Sequence, residues 1–177
     1  LPRGLLREPI SGLHRADLIV VTRCDRVSEV EVERIEERLS CYEKPIVRVA
    51  FEPTCLVGTD GAEQGFSILG GQTIGAFCGI GNPDAFRSTL KQIGVDPKFF
   101  EALSDHCHYD VNTVGKLIQL AQEYEVSDLL CTEKDLVKLK GVEFPATISG
   151  VRIAPVLRQG QDEFRAAVNS INETVVC

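Results

Sequence analysis

Asp105-His106-Cys107-His108-Tyr109 gathers ionisable side chains in a stretch where helical periodicity has stopped. An Asp beside a His suits a general base and the carboxylate that orients it. An imidazole titrating near neutrality can take a proton while the carboxylate fixes its tautomer. Two other readings stay open. His106, Cys107 and His108 are all possible metal ligands, although adjacent ligands on one short stretch rarely surround an ion and no partner Cys or His cluster lies elsewhere. Alternatively, they are loop residues in water with no chemical role.

Four further stretches carry candidate chemistry. Thr22-Arg23-Cys24-Asp25 follows an apolar run, at the kind of strand end where open α/β sheets bind ligands. It is reminiscent of the Thr/Asn-Lys-x-Asp base-recognition signature, in which a cationic stem covers the base and the Asp reads its edge; a loop with Asp25 starting a turn is the alternative. Near the start, Arg3, Arg7 and Arg15 outnumber Glu8, a cluster that could face an anionic head group or simply be a solvated basic loop. Gly79-Ile80-Gly81-Asn82-Pro83 is half of a dinucleotide fingerprint, but Asp84 stands where the third glycine belongs. A plain strand-to-helix turn, with glycine allowing positive φ, competes with a helix N-terminus directed at an anion. Thr132-Glu133-Lys134-Asp135 offers a helix N-cap in Thr132 and a local ion pair.

These stations must be held by alternating elements. Residues 17–22 read as a buried parallel strand, and Ser28 with Glu31 forms a capping-box spacing before Val32, Ile35 and Leu39 at helical intervals. Residues 45–50 restore strand character, completing a strand-helix-strand unit. Pro53 and the glycines at 58, 61, 65, 70 and 71 then predict a connecting segment that could contain a hairpin. Beyond it come a strand over 72–78, a helix started by Pro83, a helix over 113–124 and a strand over 128–131. A short helix over 136–139, a strand over 151–156 and a helix over 161–171 close the pattern, which is α/β throughout.

Composition sets limits. At 44% hydrophobic and 25% charged, the chain has the balance of a folded globular protein rather than a disordered one. No apolar run approaches the roughly 20 residues a membrane-crossing helix needs. The formal net charge of −7 argues against nucleic-acid binding, which depends on many Lys and Arg meeting phosphates. Seven cysteines show no Cys-x-x-Cys pair, so neither a disulfide framework nor a structural zinc site is expected, and no metal site is assigned. Reduced, mostly buried thiols in cytoplasm fit better.

Ala76–Pro83, Ser104–Tyr109 and Thr132–Asp135, preceded by the opening Leu1-Pro2-Arg3-Gly4-Leu5-Leu6-Arg7-Glu8-Pro9, together resemble the tetraacyldisaccharide 4'-kinases that phosphorylate the lipid A precursor of Gram-negative bacteria. All four occur in that family's order. The chain contains no Gly-x-x-x-x-Gly-Lys-Ser/Thr phosphate loop, so the resemblance implies a carboxy-terminal portion without the catalytic front half. The absence of Met fits a trimmed piece.

The implied fold is P-loop-kinase-like. Residues 1–51 would complete the nucleotide-binding lobe, 52–72 would link, and 73–177 would form a smaller α/β second lobe. The implied cofactors are ATP and Mg, the acceptor is tetraacyldisaccharide 1-phosphate, and the location is peripheral, on the cytoplasmic face of the inner membrane. Implied roles are catalytic for His106, with Asp105 before it, and head-group binding for Arg7 and Glu8. Thr22, Arg23 and Asp25 remain nucleotide-side candidates. Closure of the cleft would bring His106 to the reaction. The family carries a second His where this chain has Cys107, which leaves any role of that imidazole without a residue here. A non-catalytic α/β binding module descended from the family is the rival expectation.

Overall fold

The computed structural model describes residues 8–105 and 107–174. Two compact units emerge: Leu1–Glu52 together with Pro155–Cys177, and Pro53–Ala154. In the first, strand β1 (Ile19–Thr22) runs parallel to the front of β2 (Ile46–Gly58), in a register from Ile19 opposite Ile46 to Thr22 opposite Val49. Helix α1 (Glu29–Leu39) connects them. The capping box forms as its spacing predicts, with the Ser28 hydroxyl accepting from the Glu31 amide at 3.4 Å. Val32 and Leu39 are the buried residues of α1.

A two-pronged ion pair ties α1 to β2. Arg48 donates from Nε to Glu36 Oε1 and from Nη2 to Glu36 Oε2, each at 2.6 Å, and it also bonds Glu29. The Glu36 carboxyl lies below its ordinary range: the hydrogen bond from Arg48 lowers it most, burial opposes this, and the Arg48 charge lowers it further.

The second unit holds β3 (Glu63–Gln64), β4 (Ile74–Cys78), α2 (Pro83–Gln92), β5 (Phe99–Ala102), α3 (Val111–Glu123), β6 (Asp128–Thr132), α4 (Glu133–Lys138) and the front of β7 (Thr147–Gln159). The strands lie in the order β7-β6-β4-β5, every neighbouring pair parallel. Such a sheet needs cover on both faces, which explains its continuous apolar strands. Along β4 the side chains alternate accordingly. Ile74, Ala76 and Cys78 pack in a cluster with Phe86 and Leu90 of α2, whereas Phe77 packs with Leu117 and Ala121 of α3 and Leu136 of α4.

The hairpin allowed for in residues 52–72 is present, the rear of β2 pairing antiparallel with β3, and with the 3-10 turn at Phe66–Leu69 it buries Leu56, Val57 and Leu69, so the stretch is folded structure as well as a connection. The closing helix α5 (Gln161–Thr174) groups with the first unit rather than with the second lobe. The glycines that suggested a linker serve as punctuation in folded structure, and Gly61 and Gly71 adopt φ of 85° and 80° at turns. Strand β5 was not anticipated; Phe-Phe-Glu-Ala is four residues long, has no β-branched side chain and lies at the sheet edge.

Because the folded-state carboxyl of Glu36 is depressed, its contribution to stability is present above the ordinary value of 4.5 and is lost as pH falls through the lower folded value. Glu36→Gln should therefore cost about 1–3 kcal/mol at neutral pH. The gap from wild type should narrow below pH 4.5, which urea-unfolding midpoints across an acid series would measure.

Candidate functional site

Strands β4, β5 and β6 are parallel neighbours, so their carboxyl ends open on the same edge of the second unit. The three stations singled out in the sequence are the segments that leave those ends. Their meeting point is Asp135, whose side chain has no exposed surface. Asp135 Oδ2 accepts from the Gly79 amide at 3.0 Å and from the Thr132 hydroxyl at 2.7 Å. Thr132 in turn caps α4, accepting from the Asp135 amide at 3.3 Å. Lys138 reaches the other oxygen, with Nζ 3.5 Å from Oδ1.

The segment after β5 closes over this centre. The Leu103 amide donates to the Cys78 carbonyl at 2.8 Å, and Lys138 Nζ donates to the Cys107 carbonyl at 3.5 Å. The Tyr109 ring meets Phe77 edge to face at 6.0 Å between centroids. Burial first, and then the Asp135 charge, push the Tyr109 phenol far above its ordinary range. The same two causes push the Cys78 thiol up to about 11 and Cys131 well up. These side chains therefore stay neutral at physiological pH and are not nucleophiles.

Gly79 and Gly81 do not supply positive φ, as a turn reading would have it; neither lies in the left-handed region. They supply room. A Cβ on Gly79 would lie 3.2 Å from Asp135 Oδ1, 3.2 Å from Cys107 Cβ and 3.4 Å from the Ser104 carbonyl. One on Gly81 would lie 3.0 Å from Asp105 Oδ2. The turn is thus faced by two carboxylates, and the Gly79 amide is already committed. Helix α2 begins as predicted, with Pro83 in its first turn and the Asn82 side chain accepting from the Ala85 amide at 3.2 Å.

Asp105 is therefore placed against Gly81, while its neighbour His106 lies outside the described residues. Arg7 lies outside them too. Glu8 is exposed and accepts from Arg15 Nη2 at 3.1 Å, a surface pair of the kind worth little energetically.

In the first unit, Thr22 ends β1 and Arg23 takes φ 59°, with its guanidinium 5.4 Å from the Phe51 ring centroid. Asp25 Oδ1 accepts from the Phe51 amide at 3.3 Å, and Oδ2 lies 3.3 Å from Arg26 Nε. This loop is built as a turn, and it borders a cleft of about 370 Å³ that Arg48 and Arg158 also line. Among the described residues no three His, Cys, Asp or Glu side chains gather so as to hold a metal ion.

The burial of Asp135 and its pairing with Lys138 are what the sequence reading missed. Their three-residue spacing on a helix was visible, but a carboxylate is rarely fully buried, and nothing local announces that this one is.

A family model described as tetraacyldisaccharide-1-P 4'-kinase, LpxK, matches residues 1–173. The chain belongs to this family. The tetraacyldisaccharide 4'-kinase of Geobacter metallireducens is 36% identical over 148 residues, 78% of this chain and 39% of that protein. That of Chlorobaculum parvum is 30% identical over 182 residues, 99% of this chain and 49% of that protein. The LpxK structure from Aquifex aeolicus, solved in complex with ATP, superposes with a TM-score of 0.63 at 28% identity, covering 96% of this chain and 47% of that one. The fold is accordingly that of this P-loop kinase family, and the chain spans about half the length of the curated relatives it matches.

If the glycine turn is kept for close approach, Gly79→Ala must separate the turn from Asp135 Oδ1 and from Cys107 Cβ. A loss of about 1–3 kcal/mol is expected, the usual cost of overpacking. Gly94→Ala supplies the contrast: nothing crowds its Cβ within 4 Å, and any loss there must come from its φ of 75°. Denaturant titrations of both variants would separate crowding from backbone strain.

Proposed function

We propose that this chain forms part of an ATP-dependent lipid A 4'-kinase, which moves the γ-phosphoryl group of ATP to the 4'-hydroxyl of tetraacyldisaccharide 1-phosphate. The observation that carries the reading is a family match from residue 1 to 173, combined with the gathering of the family's stations around Asp135. The activity for which the relatives are named supports the acceptor, and the ATP held by the Aquifex aeolicus protein supports the donor.

In the transfer, the acceptor oxygen bonds to the γ-phosphorus as the bond to the β-phosphate bridge oxygen breaks. ADP leaves, and the hydroxyl proton must go to a base. We assign that proton to His106, with Asp105 as its orienting carboxylate. Arg7 and Glu8 are assigned to the phosphorylated sugar head group, where a guanidinium can grip a phosphate with two hydrogen bonds. Thr22, Arg23 and Asp25 are assigned to the nucleotide side. Magnesium would neutralise phosphate charge when bound; the described residues supply no cluster for it, and no step here runs through it.

Acyl chains on the proposed acceptor support a reaction at a membrane surface. Among the described residues no helix is long and apolar enough to cross a membrane, and peripheral attachment to the cytoplasmic face of the inner membrane is part of the proposal.

Full-length protein expressed from the coding sequence around this chain should transfer phosphate from ATP to tetraacyldisaccharide 1-phosphate, read as one added phosphoryl group by mass spectrometry. No product with an intact phosphate loop upstream would overturn the reading in favour of a binding module. The 177-residue chain alone, without a Gly-x-x-x-x-Gly-Lys-Ser/Thr loop, should form no product. In the full-length enzyme His106→Ala should lower kcat by about two orders of magnitude, the scale of lost acid/base assistance. Wild-type turnover in that variant would remove His106 from the mechanism.

A further inference from the structure

Lys138 stands between two groups that have no covalent reason to be near each other. Its Nζ is 3.5 Å from Asp135 Oδ1, 3.5 Å from the Cys107 carbonyl and 5.7 Å from the centre of the Tyr109 ring. Asp135 is fully buried and its Oδ1 accepts no hydrogen bond of ordinary geometry, so this oxygen keeps an attraction for a cation that its other oxygen has already spent. An ammonium carries three donors, enough to serve a carboxylate and a carbonyl together.

The described residues of the segment after β5 have no helix or strand of their own at 103–105 and 107–110. Among its described residues the Cys107 amide bonds the Ser104 carbonyl at 3.0 Å, and the Asp110 amide bonds the His108 carbonyl at 2.9 Å. In a segment outside regular helix or strand, a single charged contact has leverage over position. Asp105, carried by this segment, sits against Gly81 across a gap that one methyl group would fill.

We propose that Lys138 is a positioning residue: anchored by the buried Asp135 carboxylate, it pins the Cys107 carbonyl and thereby holds Asp105 at the Gly79–Gly81 turn. As a contribution to phosphoryl transfer this rests on the kinase reading above. As a mechanical statement about the segment it does not.

The test uses the full-length protein with Lys138→Met, which keeps the stem and removes the charge, and Lys138→Arg, which restores a cation. Amide hydrogen exchange followed by mass spectrometry should rise roughly tenfold in peptides over 103–110 for the Met variant, with α2 and α3 unchanged, and return towards wild type for Arg. In the same Met variant kcat should fall roughly ten- to a hundredfold at unchanged KM for ATP, the cost of a misplaced group. Unchanged exchange, or a rise spread over the whole unit, overturns the clamp. Localised exchange with undiminished kcat in an active enzyme overturns its part in the reaction. Should wild type itself transfer no phosphate, the kinase reading falls and the exchange pattern still decides the clamp.

Discussion

A charge without exposed surface is the constraint around which the second unit is arranged. Removing a carboxylate from water is expensive unless its lone pairs find donors, and breaking one such bond leaves the rest of the charge stranded. Asp135 meets the requirement with the Gly79 amide, the Thr132 hydroxyl and the Lys138 ammonium, which come from the end of β4, the end of β6 and the end of α4. Thr132 and Lys138 flank Asp135 on its own helix, so it is the Gly79 amide that ties this helix to the end of β4. Burial, and after it the Asp135 charge, pushes the Cys78 and Cys131 thiols and the Tyr109 phenol upward, which keeps further charge from accumulating in the same place.

The parallel sheet makes that arrangement possible. Parallel pairing of β4 with both β5 and β6 brings three chain exits to one edge, and cover by α2 on one face and by α3 and α4 on the other leaves that edge as the place where polar residues can converge. The first unit meets a similar problem differently. There the cation is the central group, with Arg48 bridging Glu36 and Glu29 of α1 from its place in β2. That pair is partly exposed, so it orients the helix without the burial cost that Asp135 carries.

Much of this was legible in the sequence where local chemistry decides local structure. Ser28 and Thr132 stand just before helical stretches, and each caps a helix, because a short side-chain oxygen satisfies an orphan amide wherever it occurs. What required long-range information was not legible. Thr54 to Val57 sit among prolines and glycines that suggest a connection, yet Leu56 and Val57 are buried in two different apolar clusters of the second unit. The grouping of α5 with the front of the chain likewise depends on pairing across more than a hundred residues of sequence. At the site, the stations were visible as short motifs, but their convergence was not. Nothing in Thr-Glu-Lys-Asp says which of its two acids is buried; Asp135 has no exposed surface, whereas Glu133 pairs with Arg152 and stays partly exposed.

The glycine turn shows how that missing information changes a chemical conclusion. By spacing alone, Gly79 and Gly81 before a helix suit a phosphate, since glycine lets backbone amides approach an anion and a helix N-terminus attracts one. In place, the Gly79 amide is donated to Asp135 and the Asp105 carboxylate lies over Gly81. An incoming phosphate would therefore meet an amide already committed and the Asp105 carboxylate, rather than free donors. The glycines therefore serve carboxylates that belong to the protein, and this edge of the sheet is built to orient acids rather than to cradle phosphates.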